Sequence, residues 1–372
     1  MKELQCVHFE KPERQHEAKM MMRGDELKPI IPVAFAADDN YVPMLSTTIY
    51  SMLKNASRDY RYDVIVLTRD ISEGNKKRVE GFLSRFENAS IRFCDVSQMV
   101  DSYNLPTNNP HISIETYYRF LVQQLLPHYD KVLYLDSDLI VKDDVSKLYT
   151  IDLGSNLLGA VRDLDFLGNI NMKDGERMRY AKEILRMHDP YAYFQAGVLV
   201  MNTKAMRAFC SIERWLEAAS DDRFIYNDQD VLNACCEGRV AYIDYSWNVM
   251  TDCANRIRNF FAYAPADVYD AYLKSRNCEK IVHYAGFQKP WKMVDCDRFD
   301  LYWEYARETP FYEEMLSMLL ATEEVKPCPI DDHESAVAPD SPLRQIFDPI
   351  APMGTARREV LKSVGRAVKG LK

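Results

Sequence analysis

The sequence predicts an α/β fold with a mostly parallel central sheet flanked by helices, followed by a helical C-terminal extension. Three observations predict it. Short apolar runs alternate with amphipathic helical segments between residues 30 and 135. The runs are apolar throughout, which is typical of strands buried on both faces. Acidic and amide side chains follow directly after two of these runs, where sheets of this kind bind their ligands.

The first half of the chain gives the clearest alternation of strand and helix. Apolar, β-branched runs predict strands, and leucine, isoleucine and methionine at helical spacing predict helices between them. The predicted strands are 30–37, 62–67, 91–93 and 132–135, and the predicted helices are 43–54, 72–86 with Ser72 as its cap, and 115–126.

The second half is less regular. It predicts strands at 193–201 and 239–243, helices at 204–219 and 228–236, and a strand with its loop at 281–292. An aromatic segment at 297–320 predicts helix with a break near Pro310, because proline cannot continue a helix. Residues 325–355 are rich in proline and aspartate and predict a linker.

Composition describes an ordinary globular enzyme. The chain has 372 residues and a net charge of −9, which disfavours nucleic acid as a partner. Nine cysteines without a CxxC pair predict reduced thiols and a cytoplasmic protein. The polar N-terminal extension, 1–28, has no apolar region typical of a signal peptide. No apolar stretch reaches the roughly 18–20 residues that span a bilayer.

The C-terminal tail, 355–372, has six basic residues and one acid, Glu359, so its local charge is 6 − 1 = +5. Apolar residues at helical spacing predict an amphipathic helix. Such a helix either binds anionic lipid at the inner face of the plasma membrane or packs on its own domain, and the sequence leaves both open.

The triplet Asp136-Ser137-Asp138 follows the predicted strand 132–135. Residues i and i+2 of a strand point to the same side, with Cα atoms about 7 Å apart, so the two carboxylates can share one hard cation. Acids at the end of a buried strand are costly unless they are paired or bind metal. The triplet therefore predicts a metal site.

A second candidate is the segment 281–291, which contains His283, Gly286 and Lys289. A histidine at a strand end is often structural, but imidazole with carboxylates suits Mn²⁺, and lysine suits a phosphate. The sequence has no Walker A motif and no Gly-x-Gly, so phosphates would be held by a metal and cations. These residues predict a diphosphate–metal site.

The run Asn227-Asp228-Gln229-Asp230 opens the predicted helix 228–236. Aspartate at a helix start is commonly a cap. The same side chains could instead hydrogen-bond the hydroxyls of a sugar, and their spacing leaves both roles open.

These motifs resemble the bacterial members of glycosyltransferase family 8, retaining enzymes that include lipopolysaccharide galactosyl- and glucosyltransferases and are related to glycogenin. The similar stretches occur in the family's order over residues 30–310. They are VAFAADDNYV (33–42), HISIETYYRF (111–120), DKVLYLDSDLIVKDD (130–144), YFQAGVLVMN (193–202), NDQDVLNA (227–234) and HYAGFQKPW (283–291).

The resemblance implies a GT-A fold with a Rossmann-like nucleotide-binding half, 29–145, and an acceptor half, 146–320, ahead of the linker and tail, 321–372. It implies a UDP-sugar donor, a glycan or lipid-linked saccharide acceptor, and Mn²⁺, with Mg²⁺ as the alternative.

The resemblance also implies roles for individual residues. Asp136, Asp138 and His283 would bind the metal; Ala36, Asp38 and Asn40 the uridine and ribose; Arg119 the donor; Asp228 and Gln229 the transferred sugar; and Gly286 and Lys289 the diphosphate. The family block often has Asn where this chain has Gln195, so the choice of donor sugar is open.

The implied reaction is transfer of glucose or galactose, with retention, in the synthesis of lipopolysaccharide or another cell-surface polysaccharide. Gln229, an amide, is a poor nucleophile, so attack from the leaving-group side is favoured, with Asp228 the runner-up for a direct role. The alternatives are a sugar-nucleotide nucleotidyltransferase, a transferase acting on protein, and a binding module without activity. The nucleotidyltransferase would need a glycine-rich loop where this chain has Ala36-Ala37-Asp38.

Overall fold

The predicted strands between residues 30 and 243 pair into one large sheet together with a strand that was not predicted, Leu158–Arg162. The predicted strand that begins at Ile281 pairs with two further short strands in a small sheet. The computed structural model describes residues 28–101, 103–106, 113–172 and 175–322. The strands are β1 (Ile30–Ala36), β2 (Arg61–Thr68), β3 (Ala89–Asp95), β4 (Val132–Leu135), β5 (Leu139–Val141), β6 (Leu158–Arg162), β7 (Phe194–Met201), β8 (Val240–Tyr242), β9 (Val249–Met250) and β10 (Ile281–His283).

Helices surround these strands. The α-helices are α1 (Val42–Lys54), α2 (Glu73–Leu83), α3 (Ser97–Val100), α4 (Val122–Leu125), α5 (Ser146–Tyr149), α6 (Leu164–Ile170), α7 (Glu176–Glu183), α8 (Thr203–Phe209), α9 (Ile212–Ala219), α10 (Asn227–Cys236), α11 (Arg256–Asn259), α12 (Ala266–Ser275), α13 (Phe299–Ala306) and α14 (Tyr312–Thr322). Single 3₁₀ segments are Asp39–Tyr41, Ile114–Leu121, Pro190–Ala192, Tyr245–Trp247, Cys253–Asn255 and Phe261–Tyr263.

The main sheet has the strand order β3-β2-β1-β4-β7-β6-β8. β7 runs antiparallel to both of its neighbours, and every other pair in this sheet is parallel. The second sheet, β5-β10-β9, contains β10 antiparallel to β5 and parallel to β9. The α/β class and the mostly parallel central sheet are therefore confirmed.

Both faces of the main sheet are covered, as its apolar strands predicted. Along β1, Val33 and Phe35 belong to an apolar core with α1 and α2. Ala34 and Ala36 belong to a second core, with the 3₁₀ segment Ile114–Leu121, α9 and α10. Neighbouring residues of a strand point to opposite faces, so burial on both sides requires the continuous apolar run seen in the sequence.

Several predicted elements differ from the observed ones for local reasons. The predicted helix 115–126 is a 3₁₀ segment followed by the short α4. The predicted helix 204–219 is divided into α8 and α9, because Cys210 and Ser211 are extended. Ser72 does cap α2, accepting a hydrogen bond from the Asn75 backbone N–H, and the helical break around Pro310 separates α13 from α14.

The predicted extension 1–28 and tail 321–372 lie almost wholly outside the described residues, and the division into nucleotide and acceptor halves stays a prediction. Among the described residues, no helix is both long and apolar enough to cross a bilayer.

Candidate functional site

A cavity of about 770 Å³ opens where the carboxyl ends of the central strands approach the small sheet. This volume suits a ligand of nucleotide-sugar size. All but one of the predicted site residues line it: Ala36, Asp38, Arg119, Asp136, Asp138, Gln195, Asp228, Gln229, His283, Gly286 and Lys289. The exception is Asn40, which is exposed in the segment Asp39–Tyr41 and is not among the lining residues. Its contact with a donor stays a prediction.

The acidic corner, which we define as Asp136, Asp138 and His283, lies where the two sheets meet. The triplet Asp136-Ser137-Asp138 falls between β4 and β5, which belong to different sheets, so the strand geometry used to predict its carboxylates does not apply. The Ser137 hydroxyl donates to the Ala36 carbonyl at 2.9 Å. This contact fixes the corner against β1 and leaves the flanking carboxylates to the cavity.

Strand pairing brings His283 to the corner from 145 positions further along the chain. His283 ends β10 opposite Leu139 of β5, and the Tyr284 backbone N–H donates to the Asp138 carbonyl at 3.1 Å. The His283 Nε2 atom lies 3.2 Å from Asp138 Oδ1 and 3.9 Å from Asp136 Oδ2. One atom from each residue lies within 4.8 Å of the other two.

This set of atoms fits a divalent cation. Two carboxylates and one imidazole are ligands for Mn²⁺ or a similar metal. The absence of a side chain at Gly197 leaves room for the Asp136 and His283 side chains to approach each other. A Cβ there would lie 2.5 Å from both Asp136 Oδ2 and His283 Cε1. The glycine is thus required by the close approach of both side chains to the β7 backbone.

Lys289 places a cation beside the corner. Its ammonium lies 2.5 Å from Asp138 Oδ2 and donates to the Tyr284 carbonyl at 2.6 Å. Burial would raise the pKa of the Asp138 carboxyl, but the neighbouring Lys289 ammonium opposes this, and the pKa lies far below its usual range. Asp138 is therefore ionised and ready to bind a cation.

Arg119 joins the corner to the start of α10. Its Nη2 atom donates to Asp136 Oδ1 at 3.0 Å, its Nη1 atom donates to the Ala196 carbonyl, and its guanidinium lies over the Tyr134 ring. A 3₁₀ segment places residues i and i+3 on the same side, which aligns Thr116 with Arg119. Both then contact Asp228.

Asp228 lines the cavity and has a buried oxygen without a hydrogen-bond partner. Its Oδ1 atom accepts from the Thr116 hydroxyl. Its Oδ2 atom is buried 2.9 Å from Arg119 Nε, but that N–H donates to the Thr116 carbonyl, and no hydrogen-bond donor in the described structure is directed at Oδ2. Burial raises the pKa of Asp228 to about 6, although Arg119 opposes the shift.

Gln229 belongs to what we call the hydrogen-bonded wall: Asp163, Tyr193, Gln229 and Asp230. Its carbonyl oxygen accepts from the Ala196 N–H at 2.9 Å, and its amide nitrogen donates to Asp163 at 2.9 Å and Tyr193 at 3.3 Å. Asp230 accepts from the hydroxyls of Tyr180 and Tyr193 and from the Tyr226 N–H. Asp230 thus serves the helix start, whereas Asp228 faces the cavity.

Several contributors were not predicted: Asp163, Asn248, Arg256 and Gly197. Asp163, Asn248 and Arg256 are brought to the site by elements that the sequence patterns did not predict, whereas Gly197 lies on β7, within the predicted strand 193–201. Asp163 caps α6, which has no strong helical pattern, and Asn248 precedes the two-residue strand β9.

Gly286, a predicted site residue, follows β10. Its backbone has φ +102°, in the region that favours glycine.

Comparison with known proteins agrees with this geometry. The model for "Glycosyl transferase family 8" matches residues 32–295. General stress protein A of Bacillus subtilis is 26% identical over 276 residues, which cover 73% of this chain and 89% of that protein.

Two solved structures are similar. The apo structure of the bifunctional glycosyltransferase WbbM has a TM-score of 0.70 and 31% identity, covering 78% of this chain and 52% of that one, so the chain spans about half of WbbM. The galactosyltransferase LgtC, solved with donor and acceptor sugar analogues, has a TM-score of 0.62 and 30% identity, covering 78% of this chain and all of that one. With a matching family model over most of its length and a site of this composition, the chain belongs to glycosyltransferase family 8 and is a glycosyltransferase of GT-A fold.

Proposed function

We propose that the protein is a retaining glycosyltransferase that moves a hexose, glucose or galactose, from a UDP-sugar to a glycan or lipid-linked saccharide in cell-surface polysaccharide synthesis such as that of lipopolysaccharide. The observation that carries the proposal is the acidic corner with Lys289 in one cavity. Carboxylates, imidazole and a lysine together match a diphosphate held through a cation.

The residues divide the donor between them. Ala36, Asp38 and Asn40 would contact uridine and ribose, and Gly286 and Lys289 the diphosphate. The acidic corner would hold Mn²⁺, or Mg²⁺, which when bound stabilises the negative charge of the departing UDP. Arg119, Asp228, Gln229 and Gln195 would line the subsite of the transferred sugar.

Asp228 supports this assignment of the sugar subsite. Its Oδ2 atom is buried without a directed donor, and an unsatisfied buried carboxylate oxygen is costly. A sugar hydroxyl would satisfy it. The 3₁₀ contacts through Thr116 and Arg119 keep this oxygen in place before the sugar arrives.

The contacts of Gln229 favour attack from the leaving-group side. Its carbonyl oxygen accepts from the Ala196 N–H, and its nitrogen donates to Asp163 and Tyr193, so these contacts hold the side chain in the wall, and an amide is a poor nucleophile. The bond from the anomeric carbon to UDP then breaks as the acceptor oxygen bonds to the same face. The acceptor proton passes to a phosphate oxygen of UDP. Lys289 stabilises that phosphate by its positive charge.

The test is incubation of the protein with UDP-glucose or UDP-galactose, Mn²⁺ and a panel of saccharide acceptors, including lipid-linked ones. UDP release with an α-linked product from the α-linked donor, determined by NMR of the anomeric position, supports the proposal. A β-linked product contradicts retention. Pyrophosphate turnover would instead identify the nucleotidyltransferase, and a peptide product the protein-modifying alternative.

The tail, 355–372, lies outside the described residues, and peripheral contact with the cytoplasmic face of the membrane is proposed from its sequence alone. Its charge of +5 should attract anionic lipid. Deleting 355–372 should weaken sedimentation with phosphatidylserine vesicles severalfold while leaving hydrolysis of a soluble donor unchanged. Equal sedimentation of both forms would rule out the contact.

A further inference from the structure

We infer that Gln195 and Asn248 form a hydrogen-bond relay that determines which ring nitrogen of His283 is free to bind the metal. Both are positioning residues for the acidic corner, and the inference rests on the metal site of the proposed function. Three contacts make up the relay. The Gly197 N–H donates to Gln195 Oε1 at 2.6 Å, Asn248 Nδ2 donates to the same oxygen at 2.6 Å, and Asn248 Oδ1 lies 2.9 Å from His283 Nδ1.

The direction of the relay is set at its backbone end. A backbone N–H can only donate, so Gln195 has to turn its oxygen, and not its nitrogen, toward Gly197. Asn248 then has to present its nitrogen to that oxygen, which leaves its own oxygen for the imidazole. His283 Nδ1 must therefore carry a proton, so that in the neutral ring Nε2 keeps its lone pair.

That lone pair points into the acidic corner. Nε2 is the atom 3.2 Å from Asp138 Oδ1 and 3.9 Å from Asp136 Oδ2. Without a proton on Nε2, three acceptor atoms converge with no donor among them, and a cation is the group that satisfies all three. A proton on Nε2 would instead block the ligand position.

Burial makes the arrangement difficult to reverse. Asn248 and His283 are each 2% exposed, so neither side chain can exchange its partner for water at low cost. Orienting partners of this kind typically affect metal affinity by about 10–100-fold.

Gln195 is the position at which this chain has glutamine where the family block often has asparagine, and it also takes part in orienting His283. The side chain lines the cavity and at the same time accepts from both Gly197 and Asn248. An asparagine there would be one methylene, about 1.5 Å, shorter. It could not keep both contacts without movement of β7. The longer amide therefore couples a residue of the sugar subsite to the metal ligand.

The first test is the tautomer of His283 in the metal-free protein. ¹⁵N-labelled histidine, observed by long-range ¹H–¹⁵N NMR at a pH where the ring is neutral, distinguishes the two forms, and His283→Gln identifies the signal. We expect the proton on Nδ1 in the unmodified protein and in Gln195→Glu, which keeps an acceptor oxygen. A proton on Nε2 in the unmodified protein would overturn the relay. The measurement involves neither donor nor turnover, so it decides the relay even if the proposed transfer fails.

The second test is binding of Mn²⁺ alone, measured by electron paramagnetic resonance of the free ion and by calorimetry. Asn248→Leu should weaken binding about 10–100-fold and Gln195→Met about 10-fold. Asn248→Asp, which still accepts from Nδ1–H, should stay within about threefold of the unmodified protein. Unchanged affinity in both Asn248→Leu and Gln195→Met would contradict the inference. If Asn248→Leu does not fold, as judged by its thermal transition, the partly exposed Gln195→Met decides.

Discussion

The acidic corner and two residues of the hydrogen-bonded wall, Asp163 and Gln229, line one cavity, but the corner and the wall satisfy their polar atoms in different ways. In the corner, Asp136 and Asp138 each have a cationic neighbour, yet one oxygen of each still faces His283 Nε2. In the wall, Gln229 has three partners and Asp230 has three, all within the protein. The acceptor atoms that converge in the corner need a bound cation to satisfy them. The polar groups of the wall are already hydrogen-bonded within the protein and stabilise its local structure. Substitutions in the corner should therefore change metal binding, and those at wall residues away from the cavity, such as Asp230, should change stability.

The largest effect should come from Asp138→Asn. It removes one anionic ligand and the partner of Lys289, so metal-dependent UDP release should fall more than about 100-fold, beyond the loss typical of outer partners. The fold should persist, as measured by circular dichroism. Asp130→Asn, at an exposed carboxylate with ion pairs of 3.5 Å, is the control and should have normal turnover. Unchanged turnover in Asp138→Asn would remove the metal assignment.

Gly197→Ala tests the corner by volume and not by charge. The new Cβ would lie 2.5 Å from Asp136 Oδ2 and His283 Cε1, so at least one ligand has to move. We expect Mn²⁺ affinity to fall about 100-fold, which is the upper range for disturbed ligand orientation. The control is Gly81→Ala in α2, where a Cβ meets nothing within 4 Å. Normal Mn²⁺ affinity in Gly197→Ala would show that the corner has more room than its geometry implies.

The same contrast explains how much the sequence could predict. The first half alternates apolar runs with helices, and β4 was predicted residue for residue because a short buried strand between polar turns has few alternatives. The short strands β5 and β9 were missed, since two or three apolar residues have no readable period. Yet β5 is what brings His283 to Asp138.

In the site, the charged and metal-binding types of side chain could be predicted from the sequence, but the residues that orient them could not. The placement of Asp136, Asp138, His283 and Lys289 around one cavity followed from motifs and from the family resemblance. Asn248 and Asp163 carry no local signal, because an amide or a capping aspartate has the same appearance anywhere in a sequence. Their roles depend on contacts across 35 and 66 positions, to His283 and Gln229, which only the folded chain defines.

Asp228 lies between the corner and the wall. The pH dependence of activity and of stability should show whether it acts mainly in binding, like the corner, or in stability, like the wall. Its pKa is raised to about 6 by burial, so the carboxylate that faces the cavity is lost as the pH falls through that value. At saturating Mn²⁺, kcat/KM should fall below pH 6, about tenfold per pH unit. Asp228→Asn should lower the plateau by about 10–100-fold, the range for a charge-assisted hydrogen bond of 1.5–3 kcal/mol, and should remove this limb.

The contribution of Asp228 to the free energy of unfolding should depend on pH in the opposite sense to activity, and should be more favourable at low pH. Because the folded-state pKa of Asp228 lies above its unfolded value of 3.8, the native state binds this proton more tightly. This carboxyl therefore favours folding at low pH, and that contribution decreases as the pH rises from about 4 to 6. Denaturant titrations of the metal-free protein should show that slope reduced in Asp228→Asn. An unchanged slope and an unchanged activity limb would place the titration elsewhere.

The smallest effect on catalysis should come from Tyr180→Phe in the support of the hydrogen-bonded wall. The Tyr180 hydroxyl donates to Asp230 at 2.6 Å and accepts from the Ile225 N–H at 2.8 Å, so its removal leaves a buried carboxylate and a backbone donor each short of one partner. The free energy of unfolding should fall by about 1–3 kcal/mol, while Mn²⁺ affinity stays unchanged and turnover decreases only a few-fold. Tyr263→Phe, at a ring 53% exposed, is the matched control and should stay within about 0.5 kcal/mol. If Tyr180→Phe instead weakened Mn²⁺ binding as strongly as Gly197→Ala, the corner and the wall would be one coupled unit, because a hydroxyl that contacts no metal ligand would then be controlling ligand geometry through α10.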